Sequence, residues 1–211
     1  MHMEYDARCK DCKRLSSFLT QIKNKNSDYF CKPVPSFGQK NSPFLIVGLA
    51  PGMHGANKTG RPFTGDHAGI LLYKTLYKFG FSNLETSQSV DDNLILKNCS
   101  ITNAVKCLPP DNKPNHEEIN NCNKFLKSEI NELKQGSILL ALGLIAHNAI
   151  MTSLSLTKKE YKFSHGKRHN LPNNLVMYDS YHCSRYNTQT KRLTEKMFHE
   201  VFLLIKTEME R

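Results

Sequence analysis

Residues 43–69, PFLIVGLAPGMHGANKTGRPFTGDHAG, constrain the fold more than any other stretch of this 211-residue chain. The apolar run from Phe44 to Val47 reads as a buried strand. It empties into a loop carrying Gly48, Gly52, Gly55, Gly60, Gly65 and Gly69. Glycine lets a backbone turn through positive φ and approach a ligand closely. Open α/β sheets bind their ligands where a strand ends in such a loop. Between the glycines stand His54, Asn57, Lys58, Thr59, Arg61, Phe63 and Asp66, more chemistry than a turn requires.

The rest of the chain alternates in the same way. Leu71, Leu72, Leu76 and Phe79 predict a helix over 67–79, and a polar connection follows over 82–98. Ser100 to Val105 reads as a second strand. A helix over 114–134 starts at Asn115, with Glu118 in capping-box register. Ile138 to Leu142 is a third strand, followed by Gly143 and a helix to about Leu154. Residues 155–173 are basic and loop-like, with a candidate hairpin around Gly166, and Leu175 to Tyr178 is a fourth strand. Thr194 opens a last helix. This order predicts an α/β fold, a three-layer α/β/α sandwich around a central four-stranded parallel sheet. The loops after Gly48, Asn103, Gly143 and Ser180 then share one rim. We expect a single domain over 1–211, with residues 1–40 forming a short helix and an irregular arm.

Lys and Arg number 29 against 19 Asp and Glu, a formal net charge of +10. Such a surface favours a polyanionic partner, nucleic acid or an anionic membrane face. No polybasic amphipathic helix stands out, and the longest apolar run, Ile138 to Ala146, is too short to span a bilayer. The opening residues MHMEYDARCK carry no apolar segment of a secretory signal, so a cytoplasmic location is expected.

Four constellations carry chemistry. Gly52 to Thr59 approaches a phosphate-binding G-x-x-x-x-G-K-[ST] loop, but Asn57 stands where the second glycine is needed, and Gly60-Arg61-Pro62 follows instead of a helix. Cys9 and Cys12 are a chelating pair, and Cys107 and Cys122 bring the set to four thiolates. That set suits zinc or an iron–sulfur cluster, and spacing alone does not choose between them. Cys107 and Cys122 also read as core thiols. Asn103 ends the second strand with one donor and one acceptor, the complement of a pyrimidine edge, though an Asn there also caps turns. His182 follows the fourth strand, with Arg185, Tyr186, Lys191 and Arg192 beyond it as a basic, aromatic segment suited to a nucleic-acid backbone.

Together these pieces resemble the uracil-DNA glycosylase superfamily, and most closely its iron–sulfur branch called family 5, or the B type. The matching residues are Gly48-Leu-Ala-Pro-Gly52, His54-Gly55, Thr59-Gly-Arg-Pro-Phe-Thr-Gly-Asp66, Thr102-Asn-Ala-Val-Lys-Cys107 and Tyr181-His182 with Arg192-Leu-Thr194. Cys9, Cys12, Cys107 and Cys122 match the cluster ligands in order and spacing, and the resemblance runs from Cys9 to the last helix. It implies a monofunctional glycosylase that flips uracil, and other deaminated bases, out of DNA. The N-glycosidic bond is then hydrolysed to leave an abasic site, in base-excision repair. It implies a [4Fe-4S] cluster on the four cysteines, two of them supplied by the arm, and a nucleoid-associated monomer with no membrane partner. Gly48, Ala50, Gly52, Phe63 and Asn103 would hold the base, with Phe63 stacking and Asn103 reading the polar edge. His182 would hydrogen-bond the departing anion. The related iron–sulfur branch carries a carboxylate where this chain has Leu49. Asn57 is therefore expected to position the attacking water, with Asp66 second and His54 third.

Overall fold

The structure is a computed structural model that describes residues 5–210. Residues 1–4 of the expected arm, and Arg211 at the end of the expected domain, lie outside the described residues. In chain order the elements are α1 (Lys13–Lys25), β1 (Phe37–Gly38), β2 (Phe44–Gly48), α2 (Ala56–Thr59), α3 (His67–Lys78), β3 (Cys99–Asn103), α4 (His116–Asn131), β4 (Ile138–Leu142), α5 (Leu144–Ser153), β5 (Arg168–Asn170), β6 (Val176–Ser180), α6 (Arg185–Gln189) and α7 (Glu195–Met209).

The strands form one sheet in the order β1-β3-β2-β4-β6-β5. Its middle, β3-β2-β4-β6, is parallel throughout and is the expected four-stranded core. The expectation needs one correction. Short strands β1 and β5 pair antiparallel at the two edges, so the sheet is mixed and six-stranded. The turn joining β5 to β6 lies at Pro172–Asn174, not at Gly166. The chain leaves β2 toward one edge and β4 toward the other. The crevice above their carboxyl ends is therefore a topological switch point, where open sheets bind ligands.

The parallel strands are buried on both faces, which explains the unbroken apolar runs of the central pair, β2 and β4. Phe44 and Ile46 face Leu72 and Leu76 of α3 and Phe198 and Phe202 of α7. Leu45 and Val47 face Leu126 and Ile130 of α4 and Ala146 and Ile150 of α5. Each such fully buried side chain contributes about 1.5–3 kcal/mol. Helix α4 opens with both arms of the capping box, Glu118 N–H to Asn115 and Asn115 N–H to Glu118, each at 2.8 Å. The Glu118 carboxylate also takes two bonds of 2.7 Å from Arg14, which docks α1 on α4. Among the described residues no helix is long and apolar enough to cross a membrane.

Candidate active site

A cavity of about 380 Å³ opens at the switch point. It is walled by Leu49, Ala50 and Gly52 after β2, Phe63 and Asp66 before α3, Asn103 at the end of β3, and His182 after β6. The glycine loop is shaped by what it must let pass. A Cβ on Gly48 would lie 2.4 Å from Asn103 Oδ1 and 2.7 Å from the Phe63 ring, so only glycine admits both side chains. Phe63 itself is held at φ +59, rare for a bulky residue, and is buried with its ring at the cavity wall. Its ring lies 5.9 Å from that of His182 at an interplanar angle of 26°.

Gly52 and Gly55 serve Asp66 in the same way. A Cβ on either would fall 2.3 or 2.0 Å from its carboxyl group. Asp66 stands at the N-cap of α3 but does not cap it with its side chain. The carboxylate turns back and accepts from Ala56 N–H at 3.2 Å. Burial pushes its pKa above the ordinary carboxylate value, against the pull of the Ala56 and Gly52 amides and of His54.

The two other water-positioning candidates lie elsewhere. Asn57 is fully buried in α2 and donates to Cys31 Sγ at 3.4 Å, while its Oδ1 has no partner. It does not line the cavity. His54 is exposed, bonded at 2.7 Å to the Tyr29 hydroxyl. The one-turn helix α2 carries Asn57 away from the cavity, a feature that apolar periodicity cannot signal. The phosphate-loop likeness also ends here, because Thr59 Oγ1 bonds back to Gly55 O and Lys58 lies over the Tyr29 ring. Arg61 is a buried staple, 2.7 Å from Asp92 and 2.6 Å from Val90 O, which pins the loop to the 82–98 connection.

Asn103 is 3% exposed, lines the cavity, and its Oδ1 has no hydrogen-bond partner. Leaving a buried acceptor unpaired costs about 1–3 kcal/mol. Such a group is explained by a partner it is built to receive. His182 lines the same cavity, and burial lowers its pKa to about 4. It is thus a neutral hydrogen-bond donor near pH 7.

Arg185 lines the cavity mouth, and Tyr186 beside it is 69% exposed. Arg192 lies over the Tyr181 ring at 4.9 Å, and Lys191 occupies the exposed turn after α6 at φ +57. Leu49, noted from sequence as standing where the related branch has a carboxylate, also lines the cavity, as do His67, Ala68, Asn112 and Ser184, which were not singled out. Ala68 and Ser184 could have been flagged by their neighbours in the matched motifs. Exposed Asn112 offered no signal.

Cys9, Cys12, Cys107 and Cys122 line one small cavity between the arm and α4, with Leu15, Pro33 and Phe125 around them. Burial raises the Cys107 and Cys122 thiols, the latter to about 11, and proximity of the other cysteines adds to the effect. Four thiols around one small cavity are a donor set that a cationic group would discharge. No three of these sulfurs lie mutually within 4.8 Å, among the described residues. Lys106 N–H points at Cys122 Sγ (3.2 Å) and the Asn121 amide at Cys12 Sγ (3.9 Å).

Comparison with known proteins agrees with this geometry. Residues 35–206 match the family described as the uracil DNA glycosylase superfamily. A Type-5 uracil-DNA glycosylase of Thermus thermophilus is 40% identical over 200 residues, 92% of this chain and 91% of that protein. A protein of the same description from Pyrobaculum aerophilum is 39% identical, over 92% of this chain and 85% of its own length. A Type-4 uracil-DNA glycosylase from the same organism is 39% identical over a shorter span, 56% of this chain.

Proposed function

This chain belongs to the uracil DNA glycosylase superfamily, and on that premise we propose that it excises uracil from DNA by hydrolysing the N-glycosidic bond, leaving an abasic site for base-excision repair. The observation that carries this reading is Asn103 Oδ1, a buried acceptor without a partner at the wall of a base-sized cavity. Uracil supplies what it lacks. The N3–H donates to Oδ1, and the Asn103 NH₂ donates to O4.

A base inside a duplex is out of reach, so it is extruded into the cavity, with Phe63 as its stacking surface. As the bond to C1′ stretches, positive charge grows on the sugar and negative charge on the base. Neutral His182 donates to the developing oxyanion, and loses nothing to charge reorganisation in doing so. Asp66, at the wall of the same cavity, takes the role expected first of Asn57. Its carboxylate holds water against C1′ and faces the sugar cation. Water gives its oxygen and one hydrogen to C1′, and the other hydrogen ends on the base. Ala50 and Gly52 complete the wall, and Gly48 keeps room for Asn103. Arg185, Tyr186, Lys191 and Arg192 form the DNA-facing rim, in keeping with the net charge of +10.

Cys9, Cys12, Cys107 and Cys122 would hold a [4Fe-4S] cluster. When bound, that group supplies a cross-link between the arm and the segment after Asn103. Residues 1–211 act as one domain, a monomer in the cytoplasm at the nucleoid. Phe63 is the only Phe, Tyr or Trp that lines the cavity, among the described residues, so no second bulky ring blocks a larger base beside Asn103. Other deaminated bases are therefore substrates too. Incubation with uracil-containing oligonucleotides followed by alkali tests the reading. Strand cleavage at uracil in U:G, U:A and single-stranded substrates is expected, with weaker cleavage at hypoxanthine. Intact strands throughout would refute it.

A further inference from the structure

A second cavity of about 270 Å³ adjoins the first and shares Leu49 and His182 with it. Both side chains therefore line each cavity. Its other walls are mostly apolar and aromatic, with Leu144 and Ile145 at the start of α5, Phe163 and Tyr181, and the Asn187 amide beside them. Leu144 is 54% exposed and Ile145 37%, unusual for aliphatic residues beside a polar cleft. Arg192 completes the rim, its guanidinium 4.9 Å above the Tyr181 ring. No carboxylate lines this cavity, among the described residues.

The aromatic wall is rigidly held. The Tyr181 ring stacks on His165 at 4.9 Å and 11°, and Tyr181 N–H donates to His165 Nδ1 at 3.1 Å. Phe163 meets Tyr181 at 6.1 Å and rests edge-on against His147 at 5.7 Å. Behind it, Asp179 joins His147 and His169, each at 2.8 Å, and accepts from Ser164 N–H at 3.2 Å. This buried group ties the 161–170 segment to the strand that ends at His182. Exposed Lys162 and Lys167 flank Phe163 on the outside.

We propose that this second cavity is a subsite for the nucleobase that neighbours the extruded one on the same strand. The proposal rests on the glycosylase reading and adds to it. Extruding one base removes a stacking face from its neighbour, which is covalently tied within one nucleotide of the first cavity. An apolar, aromatic hollow one side chain away replaces that face, and base–aromatic stacking is indifferent to base identity. Arg192 supplies both stacking on Tyr181 and charge for the linking phosphate. The partner base is a poorer occupant, because it stays on the opposite strand while the extruded base moves away from it. The subsite favours single-stranded DNA, where the neighbour is free to leave its stack.

Steady-state excision from single-stranded oligonucleotides tests this. One substrate carries normal bases around uracil. Two others replace the base on either side by a stable tetrahydrofuran abasic analogue. For the unaltered protein, deletion of one neighbour should raise KM roughly tenfold, with kcat within about twofold. In Leu144→Ala and Phe163→Ala the ratio of KM values should collapse toward one. That ratio is internal to each protein, so partial unfolding does not mimic it. Equal KM for all three substrates with the unaltered protein, or an unchanged ratio in both variants, overturns the subsite while leaving the glycosylase intact. A KM that responds only to deletion of the base opposite uracil in a duplex also overturns it. Excision from none of the substrates overturns the functional reading, and the subsite with it.

Discussion

Two groups of buried polar side chains sit at the carboxyl rim of one sheet, and they are finished differently. In the Asp179 group the carboxylate accepts from both histidine rings and from Ser164 N–H, and His147 Nε2 donates to Tyr161 O at 2.7 Å. In the base cavity Asn103 Oδ1 has no partner, Phe63 is held at positive φ, and burial pushes the Asp66 pKa above the ordinary carboxylate value. The first group is complete without a ligand and contributes stability. The second is incomplete without one and draws on the stability of its surroundings. The difference separates a scaffold from a site more sharply than burial does, since Asp179 and Asn103 are both almost wholly enclosed.

Substitution should break the two groups in opposite ways. Asp179→Asn replaces a two-sided acceptor with a group that can accept at one side only. It leaves a histidine N–H facing an amide N–H, in a site with no water access. We expect a loss of about 3–5 kcal/mol, the usual consequence of removing one partner from a buried charged network, read as a lower urea midpoint at unchanged slope. Asn103→Ala should do the reverse. Turnover on a uracil oligonucleotide should fall about 10²–10³-fold, as for removal of one preorganised polar contact. The urea midpoint should stay or rise, because an unpaired buried acceptor has been removed. A large stability loss in Asn103→Ala would show that its Oδ1 is paired in the free protein.

The same contrast explains what was legible from sequence. The central parallel strands β2 and β4 announce themselves because both faces are buried and their residues are apolar almost throughout, while β3 and β6 mix apolar residues with Ser100, Thr102, Asn103, Asp179 and Ser180, all buried too. Edge strands β1 and β5 are two and three residues long and partly exposed, too short for any period to register. That Asn103 and His182 would meet at one rim was legible because they lie at or just past strand ends, and Phe63 because it lies in the loop that leaves β2; all three line the cavity. Asn57 was not, because one helical turn from Ala56 to Thr59 decides which side of the loop its amide faces, and that turn has no apolar face to betray it. Asp179 passed unnoticed for the opposite reason. Its partners His147 and His169 come from α5 and β5, and nothing in their spacing links them.

The smallest expected effect concerns charge within the base cavity. Asp66 and His182 are both shifted toward their neutral forms by burial, but the consequences run in opposite directions with pH. The folded protein binds a proton at Asp66 more readily than the unfolded chain does. Ionised Asp66 therefore weakens folding at neutral pH, and the penalty disappears as pH falls through its raised pKa. His182 titrates near 4 when folded and near 6.5 when unfolded, so stability is lost as pH drops through that window. Asp66→Asn should then raise Tm at pH 7 by about 2–4 °C while greatly reducing kcat. The acid limb of kcat in the unaltered protein should lie above the ordinary carboxylate range, because it follows Asp66, and His182 stays neutral down to about pH 4. Loss of that limb from the residual activity of Asp66→Asn is the expected result. Persistence of the limb in Asp66→Asn would move the water-holding role to another group.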